Sequence, residues 1–205
     1  MLLPKGNFLW KGLNSFFVDI RSLIQYIRFQ DFNGYIYCKF REKQGIIFIH
    51  EGDSVCGMLD DGNQSNSGMN VVKYILDATK NEKNIHIDVC SLPIRNVEII
   101  TEFLLMESKP YQMNLSAYFL NIESYVNNHL NAIGFNGYIE IHFSEGDEAF
   151  ISFYDGNLYS IITNSLQIRK DRATNSELKV FDIYALKIFE RSKKSGATYN
   201  IYARV

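Results

Sequence analysis

Phe32-Asn33-Gly34-Tyr35-Ile36 recurs, residue for residue, as Phe135-Asn136-Gly137-Tyr138-Ile139, 103 residues later in a chain of 205. An identical pentapeptide displaced by half the chain length is the mark of a duplicated module. The pattern on either side of it carries the fold.

Upstream of the first copy, Ile20, Leu23, Ile24 and Ile27 recur at i, i+3, i+4 and i+7 behind a capping-type Asp19, which predicts a helix of about three turns with one apolar stripe. Residues 8–17 before it predict a short strand and turn. At Asn33-Gly34 the period changes from 3.6 to 2, so the pair is expected to end the helix, and Tyr-Ile to set which side of the next strand faces inward. Ile36, Cys38 and Phe40 alternate with Tyr35, Tyr37 and Lys39. The turn at Glu42 to Gly45, a return strand over 46–50, a turn at Glu51-Gly52-Asp53 and a strand over 55–59 then predict an antiparallel meander. Residues 60–68 are all polar or Gly after the leading aspartates and predict an exposed loop. Val71, Val72, Ile75, Leu76 and Thr79 predict a second helix, and 85–89 a fourth strand.

The second copy follows the same order. The strand over 111–119, the capping-type Asn121 and the stripe Ile122, Tyr125, Val126 and His129 come first. Strands after Gly137 and over 149–154, the turn Asp155-Gly156-Asn157, a polar loop over 164–177, a helix carrying Phe181, Tyr184, Ala185, Ile188 and Phe189, and a strand over 198–203 complete it. The fold class is therefore α+β: two tandem repeats, each an antiparallel sheet in the order helix-strand-strand-strand-helix-strand. The expected boundaries are 1–92 for the first repeat, 93–108 for a connecting helix and 109–205 for the second repeat. Apolar residues lie nearly all round that connecting helix, from Val97 to Met106, so it is expected to be buried between the repeats.

Composition narrows the function. A net charge of −2 and a pI near 6.1 leave no global footprint for nucleic acid or an anionic membrane, and a small basic patch is left open. No segment is apolar for the length of a membrane span, which predicts a cytoplasmic protein without membrane insertion. Cys38, Cys56 and Cys90 lack metal-ligand spacing and predict buried thiols; no metal, cofactor or catalytic constellation is expected.

The order of a DIRSLIQYI helix at 19–27, the Gly-led strand NGYIYCKF at 33–40, the apolar-x-x-Gly turns Ile49 to Gly52 and Phe153 to Gly156, and LLMES at 104–108 resembles the PATAN family, a bacterial signalling domain related to the N-terminal region of the regulator PatA. The resemblance spans 10–107 and, more loosely, 111–205. It implies a noncatalytic adaptor or scaffold that contacts a protein partner in bacterial signalling or surface motility. A small-ligand or nucleotide sensor working between the repeats is the alternative, and a homodimer is left open.

Two groups of candidate site residues follow. If the strand parity places Ile36, Cys38, Ile47 and Ile49 inward, the opposite face carries Tyr35, Tyr37, Phe48 and His50, with Tyr138 and Tyr154 at the matching positions of the second copy. That face is too apolar to leave in water, so either the chain or a partner covers it. Arg169, Lys170 and Arg172 in the long loop, with Arg191, Lys193 and Lys194 at the end of the last helix, would form a basic patch if the two clusters meet.

Overall fold

The computed structural model describes residues 4–62 and 65–205. The chain divides into two compact units, Lys5–Leu105 and Met106–Val205. In the first, β1 (Asn7–Asn14), α1 (Ile20–Arg28), β2 (Gly34–Lys39), β3 (Gln44–His50), β4 (Asp53–Asp60), β5 (Ser65–Gly68), α2 (Met69–Asn81), β6 (His86–Ser91) and α3 (Ile94–Leu104) follow in order. In the second, β7 (Ser108–Ser116), α4 (Ile122–Tyr125), β8 (Gly137–His142), β9 (Glu148–Tyr154), β10 (Asn157–Thr163), β11 (Gln167–Arg169), α5 (Asn175–Ser195) and β12 (Thr198–Arg204) do the same.

The sheets share one topology. The strand order is β1-β6-β2-β3-β4-β5 in the first and β7-β12-β8-β9-β10-β11 in the second, antiparallel throughout. A four-stranded meander is followed by a helix that returns the chain to the far side of the meander's first strand. The duplication inferred from the pentapeptide therefore extends over every strand.

Three elements differ from expectation. Ser65–Gly68 and Gln167–Arg169, expected as loop, are short edge strands, β5 and β11. A run such as Ser-Asn-Ser-Gly has no apolar alternation because nothing packs on an edge strand that is open to water. The third difference lies beyond α4. There Val126–Leu130 forms a π-turn, one extra residue wound into the helix. It moves the apolar stripe by one position, so Ile122, Val126 and Leu130 are buried and His129 is not. His129 instead lies beside Tyr125, with ring centroids 4.9 Å apart, and its Nε2 is 3.4 Å from the Tyr111 hydroxyl.

The pentapeptide has a fuller role than ending a helix, since α1 stops at Arg28, before it. Phe32 and Phe135 are buried in their cores. Asn33 Oδ1 accepts from Glu51 N at 2.9 Å, and Asn136 Oδ1 from Asp155 N at 3.0 Å. Those residues open the β3–β4 and β9–β10 turns, where Glu51-Gly52 and Asp155-Gly156 all have positive φ, as a two-residue hairpin of this twist demands. Gly34 and Gly137 lie so close to the neighbouring strand that an added Cβ would sit 2.0 Å from the Cys90 carbonyl oxygen or 2.1 Å from that of Tyr202. Ile36 and Ile139 point inward and are fully buried. The motif thus ties the start of each meander's first strand to the turn at the end of the next strand.

Each sheet buries one face against its own helices. In the first unit α1 and α2 cover Ile36, Cys38, Ile47, Ile49, Ile87 and Val89. In the second, α4, the π-turn and α5 cover Ile139, Ile141, Ile151, Ile161, Tyr199 and Ile201. The caps are built locally. Asp19 accepts from Ser22 N at 2.7 Å, Asn121 from Ser124 N at 3.1 Å, and Thr174 with Glu177 forms a reciprocal capping box on α5. The connecting helix expected over 93–108 spans Ile94–Leu104 and belongs to the first unit.

Candidate interaction surface

The first sheet's outer face is where sequence reasoning places a partner, and α3 packs there against β3 and β4. His50, on the outer parity of β3, has its Nε2 3.4 Å from Glu98 Oε1 of α3, which fixes the side on which the helix lies. Tyr35 and Phe48 are buried, with ring centroids 6.1 Å apart. Burial, then a hydrogen bond with Cys90, pushes the Tyr35 phenol well above its ordinary value. These two side chains offer no surface to a partner. Tyr37 is half-buried and donates to Gln44 Oε1 at 2.9 Å. Much of the expected surface on this sheet is therefore interior.

On the second sheet the same parity is polar. His142 on β8 lies 3.2 Å from Glu140 Oε2 and 3.5 Å from Glu148 Oε1, and Asn200 of β12 is 3.3 Å from its Nε2. The hydrogen bond with Glu140, then that with Glu148, raises its pKa to about 10, against the desolvation that burial imposes. This imidazolium between two strand carboxylates is invisible to spacing, because Glu148 comes from the neighbouring strand. Tyr138 stacks on Tyr202 at 4.8 Å and accepts from the Ser108 hydroxyl at 3.3 Å.

The two basic clusters do not meet. Lys170 Nζ is 3.6 Å from Asp182 Oδ1, near the start of α5, whereas Arg191 lies nine residues further on, about 13 Å along the helix at its usual rise. Arg191 is also committed. It bonds Glu145 at 2.8 Å and Asp147 at 2.7 Å, and its guanidinium lies 4.2 Å from the Phe143 ring centroid. Lys193 and Lys194 are exposed at the helix end, where cations oppose the negative pole of the helix.

What the structure does bring together are candidates from different groups. Tyr154, at the end of β9, is 62% exposed, and its ring centroid is 6.0 Å from that of Tyr159 on β10. The Arg169 guanidinium lies 5.5 Å from the Tyr159 ring centroid and makes paired hydrogen bonds to Asp171 at 2.6 and 3.0 Å. The Tyr159 hydroxyl donates to Asp171 at 3.3 Å. Burial, then Asp171, raises the Tyr159 pKa, so the phenol stays a neutral donor. Tyr154, Tyr159 and Arg169 therefore form a ladder of two mutually tilted rings and one guanidinium, in which Asp171 holds Tyr159 and Arg169. Sequence reasoning named the two ends of the ladder and missed Tyr159, because the bulge between Leu158 and Ser160 disrupts the alternation that would have flagged it.

Elsewhere in the first unit, Arg41, Glu42, Lys43, Leu59, Asp61, Tyr74 and Glu82 line an open groove of about 660 Å³. Lys43 Nζ is hydrogen-bonded to the Tyr74 hydroxyl at 2.5 Å, is 3.6 Å from Glu82, and lies 5.5 Å from the Phe40 ring centroid. Its second-unit counterpart is the Arg191 clasp, since Phe40 and Phe143 are separated by the repeat offset. Among the described residues, no helix is long and apolar enough to cross a membrane.

No curated protein and no solved structure matches the chain. A family model does match, over residues 1–104, described as "Uncharacterized protein conserved in archaea". This overturns the PATAN resemblance and its bacterial setting. The order of helix, Gly-led strand and hairpin that carried the resemblance is what packing a helix on a meander produces in any lineage. The matched residues span the first repeat through α3, and the chain belongs to the DUF2226 family.

Proposed function

We propose that this chain is a noncatalytic protein-interaction adaptor whose contact patch is the Tyr154, Tyr159 and Arg169 ladder of the second repeat. The observation that carries the proposal is the exposed Tyr154 ring set against a partly buried, pre-ordered Tyr159 and Arg169. Tyr and Arg dominate interface hot spots because each brings a large rigid plane and a polar end for little loss of rotamer freedom. Asp171 has already fixed the Arg169 fork, so a partner does not have to order it.

The chemistry of the remaining polar groups supports a noncatalytic role. His142, charged up to about pH 10, does not match a general base for neutral pH. Burial pushes the Cys38 thiol up to about 12, away from the thiolate that a nucleophile requires.

The test is affinity capture on the tagged full chain, beside a Tyr154→Ala/Tyr159→Ala variant and an Arg169→Gln variant. Loss of a hot-spot ring costs about 1–3 kcal/mol, so capture of a specific partner should fall by roughly tenfold or more. An unchanged set and yield of captured proteins, from variants with unaltered unfolding transitions, would remove the ladder from the account.

A further inference from the structure

Four of the five most exposed aromatic side chains among the described residues occupy the same place in both repeats, the fifth being Phe29 at the end of α1. In the turn between β1 and α1, Phe16 and Phe17 are 64% and 83% exposed; in the turn between β7 and α4, Tyr118 and Phe119 are 78% and 94% exposed. The turns are built alike. Phe17 N and Val18 N both donate to Asn14 O, while Phe119 N and Leu120 N both donate to Ser116 O. Phe16 N donates to Asn14 Oδ1, and Tyr118 N to Ser116 Oγ. Each turn is anchored to the strand that follows the second helix, through Ser15 N to Ile85 O and Ala117 N to Ala197 O. Two adjacent rings are therefore held outward on a rigid convex tip, twice, where a solvated turn would ordinarily carry polar residues.

Cations flank each tip. Lys80 in the last turn of α2 lies close enough to Asp19, the residue that closes the first tip, to act on its carboxyl. Lys80 and Lys83 are exposed and make no ion pair among the described residues. The neighbouring Arg21–Asp77 and Lys43–Glu82 pairs neutralise one another, which leaves these two lysines outnumbering Asp19. At the second tip the Tyr118 ring lies over Gly196, which ends α5, and Lys193 and Lys194 occupy the preceding turn, with Glu123 the acidic residue in the first turn of α4.

We infer that these tips are the points at which the protein adsorbs to an anionic lipid surface. A protruding aromatic knob beside exposed lysines matches the boundary between headgroups and acyl chains, where rings partition and lysines meet anionic headgroups. A protein partner would instead need a concave pocket for each knob. The tip residues are not those of the Tyr154 ladder, so either reading can fail without the other.

The experiment is cosedimentation of the full chain with vesicles of phosphatidylcholine, with and without phosphatidylglycerol. Binding is expected only with the anionic lipid and should weaken as salt is added. Phe17→Ser and Phe119→Ser should each reduce it, and the Phe16→Ser/Phe17→Ser/Tyr118→Ser/Phe119→Ser variant should lose it by more than about tenfold, given the area of four aromatic rings. Lys193→Gln/Lys194→Gln should lower the preference for the anionic lipid. Because these side chains are exposed, circular dichroism and melting should match the parent. Absence of vesicle binding at low salt, parental binding by the four-residue variant, or loss of self-association or protein capture by that variant without any lipid binding would each overturn the inference.

Discussion

Replacing Gly34 with Ala tests the account of the repeated pentapeptide most directly. The added methyl would lie 2.0 Å from the Cys90 carbonyl oxygen, 2.8 Å from the Phe32 ring and 2.9 Å from the Ser91 Cα. Two of those three neighbours are backbone atoms of a strand paired on both sides, so no rotamer change relieves the clash. Overpacking of this kind costs about 1–3 kcal/mol. Gly34 also has φ of 153°, which an L side chain strains to keep, at about 1–3 kcal/mol more. The stiffer unfolded chain returns about 0.4–1 kcal/mol. The net loss is roughly 1–5.5 kcal/mol, against a total of about 5–15 kcal/mol for a unit of this size. At about 4–8 °C per kcal/mol, the first unit should melt roughly 4–44 °C lower, with the middle of that range near 20 °C. Gly146→Ala separates the terms. Its φ is 87° and nothing lies within 4 Å of the added methyl, so it carries conformational strain without the clash. Urea unfolding followed by circular dichroism reads all three proteins. Should Gly34→Ala be no less stable than Gly146→Ala, the close approach of β2 to β6 is not what selects glycine there.

The π-turn predicts that Leu130→Ala costs about 2–5 kcal/mol, as a buried Leu should, whereas His129→Ala stays within about 0.5 kcal/mol, as expected at a partly exposed position; equal costs in denaturant melts would put the stripe back where unshifted spacing puts it. His142 has a folded pKa of about 10 against an ordinary value of 6.5, so its contribution is complete below about pH 6.5 and is lost as pH rises through 10. The side chain is over a third exposed, which keeps the effect below about 1 kcal/mol. His142→Gln should therefore flatten the urea midpoint between those pH values, and a parent and variant with parallel profiles would refute the linkage.

The antiparallel meanders were legible because they rest on inward residues such as Ile36, Ile47 and Ile49, whose alternation survives in both copies; where β6 and β12 insert in each sheet was not. Nor was the edge strand β5, because Ser65 to Gly68 contribute backbone hydrogen bonds and no buried side chain. Fixed spacing carried the apolar stripe onto His129, and one inserted residue was enough to move it to Leu130. The candidate surface was legible by parity at Tyr154, yet parity also selected Tyr35 and Phe48, since alternation tells which residues share a face and not whether a helix such as α3 later lies on it. The His142 cluster required knowing that Glu148 of β9 stands opposite His142 of β8, a matter of register that sequence spacing does not supply.

The clasps between hairpin and helix carry opposite polarity in the two repeats. In the first, the cation Lys43 stands on the hairpin and Glu82 follows the helix; in the second, Glu145 and Asp147 stand on the hairpin and Arg191 is on the helix. Two modules with one topology and one pentapeptide are at risk of exchanging parts while the chain folds. A hairpin of the first copy set against the helix of the second would bring Lys43 to Arg191, and the reverse exchange would bring Glu145 and Asp147 to Glu82. Both exchanged arrangements oppose like charges, so each copy's hairpin is matched electrostatically only by its own helix.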